Sequence, residues 1–175
     1  MAIRKILVLG NPLLRSRSAA VKNFSDPFLA RTIDDLRETL AEFRNSHGFG
    51  RGIAAPQIGV SLRLIVIQIE KQIVIVNPRI IKHSQRRMTL WDDCFSFPEI
   101  LVKVRRNVSI TVRYNDERGE SQQIQATGDL SELLQHEIDH VDGILAIDRA
   151  IDTKHIVLRS EWRTLVNQTS TSLKM

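Results

Sequence analysis

Within His136-Glu137-Ile138-Asp139-His140, two imidazoles stand four residues apart with a carboxylate next to the first. On a helix, positions i and i+4 share a face, so both rings can converge on one ion while Glu137 sits beside them, within reach of a water held there. That is the equipment of metal-assisted hydrolysis, which needs three protein ligands and one open position. The helix would supply two. Asp142, Asp148 and Asp152 are candidates for the third, but Cys94 in Asp92-Asp93-Cys94-Phe95-Ser96 is the softer and stronger donor. As the sole cysteine it cannot form an internal disulfide, which leaves packing, thiol reactivity or metal ligation as its chemistry.

The elements that must position these groups can be read from periodicity. Leu130, Leu133, Leu134, Ile138 and Val141 repeat at helical spacing, predicting a helix from about Asp129 to Val141 that carries both histidines. Leu29, Ile33, Leu36, Leu40 and Phe43 do the same, predicting an amphipathic N-terminal helix capped by Asp26, opened by Pro27 and stopped by Gly48. The β-branched runs at 63–70 and 72–78, and shorter alternating runs at Leu101 to Val104, Val108 to Tyr114 and Ser121 to Ala126, read as strands. Asn115 to Gly119 is a turn between two of them, which implies antiparallel pairing. The expected class is therefore α+β, with mostly antiparallel strands packed around the candidate metal-binding helix. The tail after about residue 153 carries Ile156, Leu158, Trp162 and Leu165 at loosely helical spacing and reads as a last helix.

The chain has 175 residues, enough for one well-buried core but short for two, so 1–175 is expected to be a single domain. No apolar run reaches the roughly 18 residues of a membrane span, and the start is too weakly apolar for a secretory signal. A cytoplasmic protein is expected. The net charge of +5 allows an anionic partner such as the ribosome, but the basic residues are scattered and read mainly as a solvated surface. His47, His83 and His155 stand alone and read as structural or solvated, and Trp91 and Trp162 as packing residues.

Three segments together resemble the motifs of the peptide deformylase family, in the family's order. Gly50-Arg51-Gly52-Ile53-Ala54-Ala55-Pro56-Gln57 is similar to the first, Asp92-Asp93-Cys94-Phe95-Ser96 to the second, and Gln135-His136-Glu137-Ile138-Asp139-His140 to the third. The flanking 5–15, 76–78 and 142–149 resemble the family too, so the likeness spans most of the chain. The resemblance implies removal of formyl from the N-formylmethionine of nascent polypeptides, with one divalent ion, Fe2+ natively and Zn2+ or Ni2+ as substitutes. It implies Cys94, His136 and His140 as metal ligands, and Glu137 as acid/base. Gln57 and the Phe95 backbone N–H would be the oxyanion donors. Gly50, Arg51, Gly52, Ile53 and Asp93 would line the substrate cleft, with the two glycines admitting an extended peptide.

The second motif departs from the family at Asp92, where Glu is expected, and at Asp93, where Gly is expected. The first departs at Arg51, a usually apolar position on the cleft wall. Ligands, base and oxyanion donors are intact, so the departures bear on substrate recognition. Asp92 is expected to pair with Arg106, Asp139 to hold a neighbouring group in place, and Asp93 to bring a negative charge to the cleft that Arg51 partly offsets. The alternatives are a related hydrolase with weak activity or a different formyl-peptide substrate, and a non-enzymatic metal- or ribosome-binding module. The oligomeric state is not encoded in these motifs.

Overall fold

The computed structural model describes residues 2–162 and 164. Among these residues two α-helices and eight strands follow in the order α1 (Pro27–His47), β1 (Gly52–Ala54), β2 (Leu64–Gln68), β3 (Gln72–His83), β4 (Arg87–Asp93), β5 (Ile100–Asn107), β6 (Ser109–Asn115), β7 (Ser121–Thr127), α2 (Asp129–Val141) and β8 (Ile156–Leu158), besides short 3-10 turns. The strands form a five-stranded sheet, β1-β2-β3-β6-β7, and a three-stranded sheet, β4-β5-β8. Every strand pairing is antiparallel, as the α+β reading expects. No helix among the described residues is long and apolar enough to cross a membrane.

Why Leu64 to Ile67 is uninterrupted apolar sequence follows from what covers β2. Successive side chains of a strand point to opposite faces. Leu64 and Val66 join the core under α1, with Leu29, Ile33, Leu36, Leu40 and Phe43, whereas Ile65 and Ile67 join the core under α2, with Leu134, Ile138 and Val141. The larger sheet is thus sandwiched between the two helices, and neither face of β2 can afford a polar residue. A third cluster, of Leu14, Phe97, Val102, Val104 and Leu145, gathers around Cys94 on the smaller sheet.

Helix α1 begins where expected: the Asp26 side chain accepts from the Phe28 N–H, and Pro27 occupies the first turn. It runs past Phe43 to His47 and ends on Gly48 at φ 75°, a left-handed cap that costs glycine little. Between β6 and β7, Asp116 Oδ1 accepts from the Arg118 and Glu120 N–H groups, closing the anticipated turn.

Two expectations are corrected. Ile156 to Leu158 do not open a helix; they form β8 and pair with Ile100–Val102, because the exposed edge of β5 offers unmet backbone groups to an apolar segment lying beside it. A helical turn starts only at Arg159, and Leu165 lies outside the described residues. Strands β1 and β4, at 52–54 and 87–93, are not expected from the sequence, and both carry candidate site residues.

Candidate metal centre and cleft

Helix α2 is unusual in being buried nearly all round: every residue from Ser131 to Val141 is inside, including Gln135, His136, Glu137, Asp139 and His140. Burying so many polar groups is costly unless each has a partner. Most do. Gln135 clasps both backbone groups of Asn107, accepting from its N–H at 3.0 Å and donating to its carbonyl at 3.0 Å, which fixes α2 against the end of β5. Asp139 accepts from Arg106 and, at 2.7 Å, from Arg149.

On the face of α2 turned toward β4, His140 Nε2 lies 3.1 Å from His136 Nε2 and 3.2 Å from Cys94 Sγ. Three donors around one tetrahedral ion, with bonds of about 2.0–2.3 Å, stand roughly 3.3–3.6 Å apart. The observed separations approach that geometry, and one thiolate with two imidazoles is a donor set suited to zinc or ferrous iron. Asp142, Asp148 and Asp152 are engaged elsewhere, by Arg63, Arg15 and His155 respectively. Cys94 is delivered by the turn that follows β4, where the Phe97 N–H donates to the Cys94 carbonyl.

Asp92 sits behind His136. Its Oδ1 is 2.8 Å from His136 Nδ1, a short charge contact without the alignment of a linear hydrogen bond, and its Oδ2 accepts from Arg106 at 2.9 Å. The expected Asp92–Arg106 pair is therefore present, but it is buried rather than exposed. Asp139 contacts no histidine; it grips the other arm of Arg106, so Arg106 is held between two carboxylates. Burial alone would raise the Asp92 carboxyl, yet His136 and Arg106 hold it at about 2. Desolvation would likewise lower His136, but Asp92 and the Cys94 sulfur outweigh it and hold the ring well above its ordinary value. His140 is pushed well below its ordinary value by burial and by His136. Electron-rich groups converging on His136 are what a cation would meet at the same place.

Glu137 is fully buried, its Oε2 has no protein partner, and burial raises its carboxyl to about 7, with His136 opposing. Its position explains Gly52. A Cβ built on Gly52 would lie 2.6 Å from Glu137 Oε1, and one on Gly50 would lie 2.5 Å from the Phe95 ring. Both glycines thus make room first for the protein's own side chains. Gly52→Ala should displace the Glu137 carboxylate, lowering kcat by about 10²-fold while the metal content stays at one ion per chain; unchanged kcat would show that the close approach is unimportant.

Gln57 is pinned through its carbonyl, which accepts from the Ala54 N–H at 2.9 Å. That leaves Nε2 as a directed donor, 3.8 Å from Cys94 Sγ and 3.4 Å from Ser96 Oγ. The N-terminal segment clamps both loops: Leu7 N–H donates to the Gln57 carbonyl and Leu9 N–H to the Ser96 carbonyl. Ile53 is fully buried under α1 and presents no side chain to the cleft. Phe95 is also buried, stacked 3.7 Å from the Phe43 ring.

A cleft of about 590 Å³ opens on Cys94 and His136 of the candidate metal site, walled by Gly50, Arg51, Gly52, Asp93, Glu132 and Glu137 among others. The expectation that Arg51 offsets Asp93 is not met. Arg51 bonds Glu132 at 2.5 Å, while Asp93 bonds Arg159 at 2.8 Å, and Arg159 also covers the Phe49 ring. The Asp93 carboxylate is thus paired with Arg159 rather than with Arg51. Glu132, Arg149 and Arg159 carry site contacts that sequence reasoning missed; for Glu132 the signal was available, since it lies four residues before His136 on the same helical face. His47 stacks on Phe43 at 4.0 Å, His155 meets Asp152, and His83 is exposed; among the described residues none of the three belongs to a group that could hold a metal ion.

Comparison with known proteins agrees with this arrangement. The family described as polypeptide deformylase matches residues 3–155. The peptide deformylase of Syntrophobacter fumaroxidans is 38% identical over 169 residues, covering 93% of this chain and 95% of that protein. That of Thermotoga neapolitana is 37% identical over 156 residues, covering 89% and 92%. The crystal structure of a peptide deformylase from Legionella pneumophila superposes with a TM-score of 0.81 at 38% identity, covering 99% of each chain. With the family match extending over most of its length and relatives of this similarity covered almost end to end, the chain belongs to the polypeptide deformylase family.

Proposed function

We infer that this protein is a metal-dependent hydrolase that removes the formyl group from the N-formylmethionine of nascent polypeptides. The observation that carries this is the convergence of Cys94, His136 and His140 beside a buried Glu137 oxygen that no protein group satisfies. A purely structural metal site needs neither such a base nor a directed amide donor like Gln57. Cys94, His136 and His140 would hold one divalent ion, natively Fe2+, which when bound activates a water and polarises the formyl oxygen.

The chain's own residues do the rest. Glu137 takes one proton from the water through its unpartnered Oε2 and delivers it to the leaving nitrogen as the formyl C–N bond breaks, giving formate and a free amine. Gln57 Nε2, fixed by the Ala54 N–H on the opposite side of its amide, donates to the oxygen that gains charge, together with the Phe95 backbone N–H. Asp92 holds the His136 ring, and Arg106, itself gripped by Asp139, holds Asp92. The free edge of β1 beside Gly50 and Gly52 gives an extended peptide backbone a strand to pair with. Formylated chain ends arise in the cytoplasm, where we place the protein, and the scattered basic surface is compatible with ribosome contact.

The direct test is formate release from formyl-Met-Ala-Ser by the anaerobically purified, ferrous-loaded protein, with acetyl-Met-Ala-Ser as control. Formate from the first alone is the expected result. Absence of formate from a fully metal-loaded sample would overturn the reading.

A further inference from the structure

Glu132, His136 and His140 follow one another at four-residue intervals, so the Glu132 carboxylate lies on the ligand face one turn before the metal centre. Glu132 and His136 offer donor atoms within 4.8 Å of one another. Arg51 reaches across the cleft from the residue before Gly52, bonding Glu132 through Nη2 at 2.5 Å and the Asp129 carbonyl through Nη1 at 3.3 Å. The carboxylate is almost wholly buried, with its side chain 8% exposed, whereas the Arg51 side chain is 46% exposed to the cleft. The side chain of the formylated residue branches from the carbon bonded to the leaving nitrogen, and the pair stands beside His136 on the cleft wall, so a side chain of methionine's length directed along this wall meets it.

Resting on the deformylase reading above, we propose that the Arg51–Glu132 pair determines substrate choice, selecting an uncharged first side chain that carries a hydrogen-bond acceptor over a purely apolar one. An apolar side chain pressed against the pair would strip water from it and return no hydrogen bond. Arg51 spends one N–H on Glu132 and one on the Asp129 carbonyl, so its half-exposed guanidinium keeps further donors for the cleft, while Glu132 is taken by Arg51 and Asp93 by Arg159. An anionic side chain would meet Glu132, Asp92 and Glu137, and a cationic one would meet Arg51, so a neutral acceptor is the best match. Two side chains of methionine's length have this chemistry, methionine sulfoxide and glutamine.

The test compares formyl-X-Ala-Ser peptides, with X as methionine sulfoxide, Gln, Met or norleucine, on the metal-loaded holoenzyme. Dissociation constants of the non-hydrolysed acetyl-X-Ala-Ser peptides, measured by calorimetry, give a readout independent of turnover. The sulfoxide or Gln peptide should exceed norleucine by about 10-fold or more in both kcat/KM and affinity. The arm with the larger ratio tells an oxidised chain start from a glutaminyl one. Combined Arg51→Leu and Glu132→Leu should reverse the order, and Glu132→Gln, which keeps the shape, should narrow it. Equal affinities, or a norleucine preference in the unaltered protein, would overturn the proposal even with formate released from every peptide. The expected affinity order without formate from any peptide would instead uphold it and overturn the hydrolase reading.

Discussion

Replacing Glu137 with Gln should lower kcat by about 10²–10⁴-fold while one metal ion per chain remains bound. The amide matches the carboxylate in shape, leaves Cys94, His136 and His140 untouched, and removes only the capacity to accept and return a proton. Gly52 provides the space that Glu137 occupies, so the substitution introduces no new crowding. Metal analysis and steady-state kinetics on the same preparation separate the two effects. Loss of metal in parallel with activity would make Glu137 a structural member of the site, and full activity would remove it from the proton path.

The second large effect is expected at Arg106, a residue that touches neither metal ligand nor cleft. Its guanidinium is buried between Asp92 and Asp139, and Asp92 in turn meets His136. Arg106→Ala would leave two buried carboxylates short of a partner, a loss worth about 3–5 kcal/mol when a buried pair is broken. Arg149 still serves Asp139 and His136 still serves Asp92, which argues for the lower end, about 3 kcal/mol. For a chain of this size that corresponds to a Tm lower by about 6–12 °C. Metal affinity should fall about 10–100-fold, because the carboxylate that orients His136 is no longer held. Arg106→Lys keeps the charge but cannot fork between two acids, and should recover only part of either loss. Unchanged Tm and metal affinity in Arg106→Ala would show that the network does not support the site.

What the sequence could and could not convey divides along physical lines. The ligand helix was readable from end to end because its apolar residues keep the 3.6-residue period while its histidines sit at i and i+4. Strand β2 was readable because burial on both faces makes it uninterruptedly apolar. Strand β4 was not: it belongs to a small sheet with one partner, β5, and apart from the buried Asp92 its residues Arg87 to Asp93 are exposed or half-exposed and mixed in character, so neither alternation nor a solid apolar run marks it. Strand β8 was misread as helix because three apolar residues fit either period, and only the free edge of β5 decides between them.

Within the site, the ligands are legible as residue types, but the pairings around them are not. Asp92–Arg106 followed from the family likeness, yet Asp139–Arg106, Arg51–Glu132 and Asp93–Arg159 join residues 33, 81 and 66 positions apart. No local pattern encodes contacts at such separations; they are fixed by how β1 and β5 pack against α2 and how β8 pairs with β5. The same holds for Gly50 and Gly52, whose neighbours Phe95 and Glu137 come from distant segments.

If Cys94, His136 and His140 together bind one ion with a position left open, X-ray absorption at the metal edge of the zinc-loaded protein should show one sulfur at about 2.3 Å and two imidazole nitrogens at about 2.0–2.1 Å, with a further light atom completing the shell. Cys94→Ser should remove the sulfur from the spectrum. A shell without sulfur in the unaltered protein, or one with four protein donors and no open position, would contradict this ligation.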